Sequence, residues 1–128
     1  MYVNDKMVLQ LVALLKKFGI KKVVVSPGSR HNKLINSLET DGSFKLYLVV
    51  DERSAAFFAL GLIQECGEPV AVTCSSGTAC MNYGSAIVEA FYQRLPLIVL
   101  SSDRVPELLN QCEDQMYDQA STFIGCTK

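Results

Sequence analysis

The sequence is poor in the signatures that mark many protein classes. It has one histidine, His31, and no C-x-x-C pair among its five cysteines, Cys66, Cys74, Cys80, Cys112 and Cys126. That spacing does not suit a zinc site. An odd number of thiols, some inside apolar stretches, reads as free cysteine in a reducing compartment rather than a disulfide framework. The formal net charge is -1 and the basic residues are scattered, so no electrostatic feature favours nucleic acid or an anionic membrane. No apolar run is long enough to span a bilayer. The apolar segment 7–15 is broken by Gln10 and followed by Lys16 and Lys17, which is the wrong charge order for a signal peptide. The expectation is a soluble, cytoplasmic protein with no nucleic-acid partner and no membrane insertion. No repeat, linker-like stretch or low-complexity tract is visible.

What the chain does have is apolar mass and alternation. Its 128 residues are 49% hydrophobic, enough for one domain with one core. Val8, Leu11, Val12, Leu15 and Phe18 recur at helical spacing, with Asn4 or Asp5 as cap and Gly19 as stop. Short β-branched or apolar runs follow at 22–26, 45–50, 70–74 and 97–100. Between them the pattern predicts helices around 34–38, closed near Gly42, over 52–66, ended by Gly67, and over 78–92. Short, continuously apolar strands alternating with helices predict an α/β fold, an open, mainly parallel, doubly wound sheet with helices on both faces. The segment 55–63 is apolar nearly all round, which suits a deeply buried helix or one facing another subunit.

In such a sheet, ligands bind beyond the carboxyl ends of the strands. Four polar strand-to-helix turns meet there: Ser26-Pro27-Gly28-Ser29-Arg30, Asp51-Glu52-Arg53-Ser54, Cys74-Ser75-Ser76-Gly77-Thr78 and Ser101-Ser102-Asp103-Arg104. In the first, Ser29 and the Arg30 fork can hold a carboxylate or phosphate, or simply form a helix start with a surface arginine. In the second, Glu52 is either an acid placed favourably at a helix N-terminus, or a carboxyl partly withdrawn from water that exchanges a proton with a bound ring. The third turn gives hydroxyls and a glycine where a ligand can approach the backbone; equally, Ser76 or Thr78 can be a helix cap. The fourth can be a salt-bridged loop. There is no Walker loop, G-x-G-x-x-G or G-x-S-x-G elbow, which excludes specific nucleotide and serine-hydrolase readings.

Taken in order, these segments resemble one family. Ser26-Pro-Gly-Ser-Arg30, Asp51-Glu-Arg-Ser-Ala-Ala-Phe-Phe-Ala-Leu-Gly-Leu62, Pro69-Val-Ala-Val-Thr-Cys-Ser-Ser-Gly-Thr-Ala79, Val88-Glu-Ala90, Pro96-Leu-Ile-Val-Leu100 and Asp103-Arg-Val-Pro-Glu-Leu108 are similar to the N-terminal, pyrimidine-binding domain of the 2-succinyl-5-enolpyruvyl-6-hydroxy-3-cyclohexene-1-carboxylate synthases. These are thiamine-diphosphate transferases of menaquinone biosynthesis, which decarboxylate 2-oxoglutarate and add the succinyl unit to isochorismate.

The resemblance implies a role for each matching residue. Glu52 activates the cofactor through its aminopyrimidine ring, and the cofactor carries the chemistry. Pro27, Gly77 and Thr78 lie against the cofactor. Ser29 and Arg30 bind the carboxylate-bearing substrate, and Gln115 lies near it. Mg2+ is implied with its ligands on another domain, since no G-D-G motif occurs here. The chain then represents an N-terminal fragment, inactive alone, of a multi-domain enzyme whose site forms across a homodimer or higher homo-oligomer. The sequence departs from the family pattern at His31, Val105 and Asp114, where a small residue, proline and asparagine are usual. Two other readings stand beside this one: a non-catalytic α/β ligand-binding or dimerisation module, and the equivalent domain of an acetolactate-synthase-like decarboxylase.

Overall fold

Each helix starts and stops where local chemistry directs. In the computed structural model, which describes residues 3–109, 111 and 117–128, α1 (Lys6–Lys17) begins at Asp5, whose side chain accepts from the amides of Met7 and Val8. Lys16 and Lys17 close it, where cations suit the helix dipole. After β1 (Lys22–Val25), a single 3-10 turn at Ser29–His31 leads into α2 (Asn32–Asp41). β2 (Lys45–Leu48) then hands over to α3 (Glu52–Cys66), which is capped by the Asp51 carboxylate accepting from the Ser54 amide at 2.8 Å. β3 (Val70–Cys74), α4 (Thr78–Met81), α5 (Gly84–Gln93) and β4 (Leu97–Ser101) complete the regular elements, with 3-10 turns at Pro106–Leu108 and Ile124–Cys126.

The four strands form one parallel sheet in the order β2-β1-β3-β4. Side chains alternate between its faces. Val24, Val70, Val72 and Cys74 pack with Ala55, Ala56, Ala59, Leu60 and Ile63 of α3 and with Ala86, Ile87 and Ala90 of α5. Val23, Val25 and Ala71 pack on the other face with Val12 and Leu15 of α1 and Leu34 and Leu38 of α2. The doubly wound, parallel α/β expectation holds. Alanines on the buried stripe of α3 let that helix lie close to the sheet, while Leu60 and Ile63 each add roughly 1.5–3 kcal/mol by leaving water. Because β1 lies between β2 and β3, successive connections leave it in opposite directions. That is the topological switch point, and it places a crevice at the carboxyl ends of β1 and β3.

Three local expectations are corrected. The helix read over 78–92 is two helices: α4 stops at Met81, Tyr83 turns wholly into the core, and Gly84, a poor interior helix residue, opens α5 instead. β2 ends at Leu48 and not at 50, with Val50 73% exposed. Of the two readings of 55–63, deep burial does not hold within this chain: α3 is buried along one stripe, and Phe57 and Phe58 on its other side are 44% and 43% exposed.

Candidate active site

The polar turns gather at the switch point because the parallel sheet aims all four strand ends the same way. The first and third turns touch. A Cβ placed on Gly28 would come within 2.7 Å of Ser75 Cβ and 3.2 Å of His31 Cε1, so only glycine fits there. Ser26, fully buried, anchors the same place: its amide donates to Thr73 O and its hydroxyl to Val49 O at 3.0 Å.

Glu52 is the first residue of α3 and is half-buried. Asp51 takes the capping hydrogen bond, so Glu52 is free of that duty. Its Oε2 accepts from Asn82 Nδ2 at 3.0 Å, which links the start of α3 to the end of α4. Gly77 begins α4 with φ 67 and ψ -125, backbone angles open to glycine alone. No side chain caps α4, so neither Ser76 nor Thr78 is the cap the sequence allowed. Thr78 is exposed at the first position of α4, and Ser29, Arg30 and Pro27 are exposed on the first turn. Gln115 lies outside the described residues.

The structure adds residues that the sequence did not single out. Gln119 is buried and binds two turns at once. Its Oε1 accepts from the Gly77 amide at 2.7 Å, while its Nε2 donates to Ser101 Oγ at 2.8 Å and Ser102 O at 2.9 Å. No periodicity or motif marks it; only the fold brings it back across the sheet's end. Asn82 and Tyr83 were read as ordinary helix positions, and the only hint of their role was the glycine that follows them.

The floor of the crevice is polar and incompletely satisfied. His31, Thr73, Ser76 and Tyr83 are buried with side-chain polar atoms that have no hydrogen-bond partner among the described residues. Burial holds the His31 imidazole below its usual range, with the Ser26 backbone acting the other way. Burial likewise pushes the Tyr83 phenol up. Cys80 is lowered to about 7 by its hydrogen-bonding interaction with Cys74, which is itself pushed up by the same interaction and by burial.

Neither of two cavities contains Glu52. One of about 620 Å³ runs along β4 and the end of α5, and one of about 310 Å³ lies among Cys80, Ser101, Asp103 and Gln119. At the edge that carries them, Arg30 and Thr78 are exposed and Glu52 is half-buried. Among the described residues, no group of three or more His, Cys, Asp or Glu side chains converges as a metal site.

This arrangement has known counterparts. Residues 6–122 match the family model "Thiamine pyrophosphate enzyme, N-terminal TPP binding domain". The chain belongs to that family. Relatives of this thiamine pyrophosphate domain carry the name 2-succinyl-5-enolpyruvyl-6-hydroxy-3-cyclohexene-1-carboxylate synthase. The one from Bacteroides fragilis is 46% identical over 128 residues, all of this chain and 23% of the relative. That from Geobacillus kaustophilus is 49% identical over 113 residues, and that from Lysinibacillus sphaericus 52% over 116 residues, covering 88% and 91% of this chain and 20% of each relative. The domain therefore spans about a quarter or less of the length of these relatives.

The residues present suit an aminopyrimidine. A carboxyl free of capping stands at the crevice mouth. At the same sheet edge the backbone is laid bare by Gly28 and Gly77, and His31, Thr73, Ser76 and Tyr83 carry buried polar atoms without partners among the described residues.

Proposed function

We propose that this chain is the pyrimidine-binding domain of a longer 2-succinyl-5-enolpyruvyl-6-hydroxy-3-cyclohexene-1-carboxylate synthase, a transferase of menaquinone biosynthesis. It decarboxylates 2-oxoglutarate and joins the succinyl unit to isochorismate. The names of its relatives support the activity. The observation that carries the role of the domain is Glu52, released from capping by Asp51 and linked at the start of α3 to Asn82 at the end of α4.

Thiamine diphosphate, when bound, supplies the carbon nucleophile that attacks a 2-oxo acid. The chain's part is to hold its aminopyrimidine end. Glu52 holds a proton at its carboxyl and shares it with the ring. Gly77, Thr78 and Pro27 present backbone and small side chains against the ring. Ser29 and the Arg30 fork receive the carboxylate of the second substrate, for which a planar guanidinium is suited. Mg2+ and the diphosphate belong to a second domain, which in a homodimer or larger homo-oligomer comes from the partner. The exposure of Arg30 and Thr78 and the partial exposure of Glu52 suit a site that another domain closes, and in this reading the 128 residues alone are inactive. This reading places the enzyme in the cytoplasm; among the described residues no helix is long and apolar enough to cross a membrane.

Glu52→Gln in the full-length enzyme is the test. It keeps the shape and loses the exchangeable carboxyl proton, so kcat falls at least ~100-fold, the range of a lost general acid–base, with circular dichroism and melting temperature unchanged. Turnover near wild type overturns the reading.

A further inference from the structure

We infer that Asn82 is a positioning residue that dictates which oxygen of Glu52 carries the proton. The inference rests on the role proposed for Glu52 and deepens it.

The geometry is direct. Asn82 Nδ2 donates to Glu52 Oε2 at 3.0 Å, and among the described residues no hydrogen bond reaches Oε1. Asn82 itself is held firmly. Its amide nitrogen donates to Thr78 O and Ala79 O at 3.3 and 3.2 Å, and the next residue, Tyr83, donates from its amide to Cys80 O at 3.1 Å. Tyr83 is wholly buried in the core between α3, α5 and the sheet, so the break between α4 and α5 cannot slide without removing a large side chain from the core. The helix break is thus what sets the Asn82 amide over the start of α3.

A side-chain NH2 donates and cannot accept. The oxygen it holds must be an acceptor, whether the carboxyl is charged or neutral. A proton on the neutral carboxyl is therefore favoured on Oε1, the oxygen that accepts no hydrogen bond among the described residues. Without Asn82 the carboxyl can rotate and place its proton on either oxygen, and only one of these arrangements serves a ring in a fixed position. Removing the donor should cost turnover without weakening substrate binding, because the loss falls on orientation.

The experiment uses the full-length enzyme with Asn82→Leu, which keeps the side-chain volume and loses the donor without adding a charge, and Asn82→Ala, each made alone and in a Glu52→Gln background. Thiamine diphosphate affinity in the presence of Mg2+ is measured by calorimetry alongside steady-state kinetics. Both single variants should lower kcat roughly 10- to 100-fold, leave KM for the 2-oxo acid within about threefold, and weaken cofactor binding severalfold. In the Glu52→Gln background, Asn82→Ala should change cofactor affinity by less than about twofold, since the partner it orients is gone. A purely structural Asn82 predicts that Asn82→Leu behaves as wild type, and that Asn82→Ala weakens cofactor binding equally in both backgrounds. Either result overturns the inference while leaving Glu52 in its role. If Glu52→Gln itself turns over normally, the reading of Glu52 falls and this inference with it.

Discussion

Replacing Gln119 by leucine should loosen the candidate site more than any surface contact suggests. The side chain is buried and makes three hydrogen bonds, one received from Gly77 and two given to Ser101 and Ser102. Each such bond is worth about 1 kcal/mol net, and leaving a buried amide unpaired costs about 1–3 kcal/mol more. Leucine recovers about 1 kcal/mol by burying apolar surface. The expected loss is roughly 3–5 kcal/mol, which for a chain of 128 residues is a drop of about 15 °C in melting temperature. Urea unfolding with a constant m-value measures the energy. Amide exchange at Gly77 localises it, since that N–H loses its only partner found among the described residues. A loss below about 1 kcal/mol, with Gly77 protected as before, would show that the clasp between the third and fourth turns contributes little.

Three further outcomes follow from the same geometry. Gly28→Ala must push Ser75 away from a 2.7 Å clash, so it should cost about 1–3 kcal/mol in unfolding experiments and weaken thiamine diphosphate binding in calorimetry; a neutral result would place the two turns farther apart. His31 is depressed by burial, so the native state takes up its proton less readily than the unfolded chain does. Stability from this residue is complete above the unfolded value of 6.5 and declines as pH falls below it, at up to about 1.4 kcal/mol per pH unit. Urea midpoints between pH 7 and 5 should show that slope, and His31→Gln should abolish it. Arg30→Met in the full-length enzyme should raise KM for isochorismate at least ~10-fold with little change in KM for the 2-oxo acid; equal changes in both would remove Arg30 from the second-substrate site.

The sheet and most helix limits were legible because they follow from local rules. Gly67 ends α3, as its place after the apolar segment implies. The apolar run at Val70–Cys74 is a strand buried on both faces. What was not legible is what tertiary packing decides. The break at Asn82 follows from Tyr83 finding room in the core, and the apolar period across 78–92 carries no trace of it. Gln119 lies 42 positions from the Gly77 amide it accepts from, a separation that no short-range pattern reports. Phe57 and Phe58 satisfy the apolar pattern of a buried helix, yet the buried stripe of α3 is Ala55, Ala56, Ala59, Leu60 and Ile63. Within the site, the four turns and Glu52 could be read from chain order, whereas the hydrogen bonds that orient them required the fold.

The central claim concerns a proton shared between Glu52 and the bound pyrimidine. Its most direct measure is the rate at which the thiazolium C2 hydrogen of enzyme-bound thiamine diphosphate exchanges with deuterium, followed by quenched-flow proton NMR in wild type and Glu52→Gln. The account predicts exchange slower by at least ~100-fold in the variant, the scale of a lost acid–base partner, with the cofactor still bound. Exchange within a few-fold of wild type would contradict it.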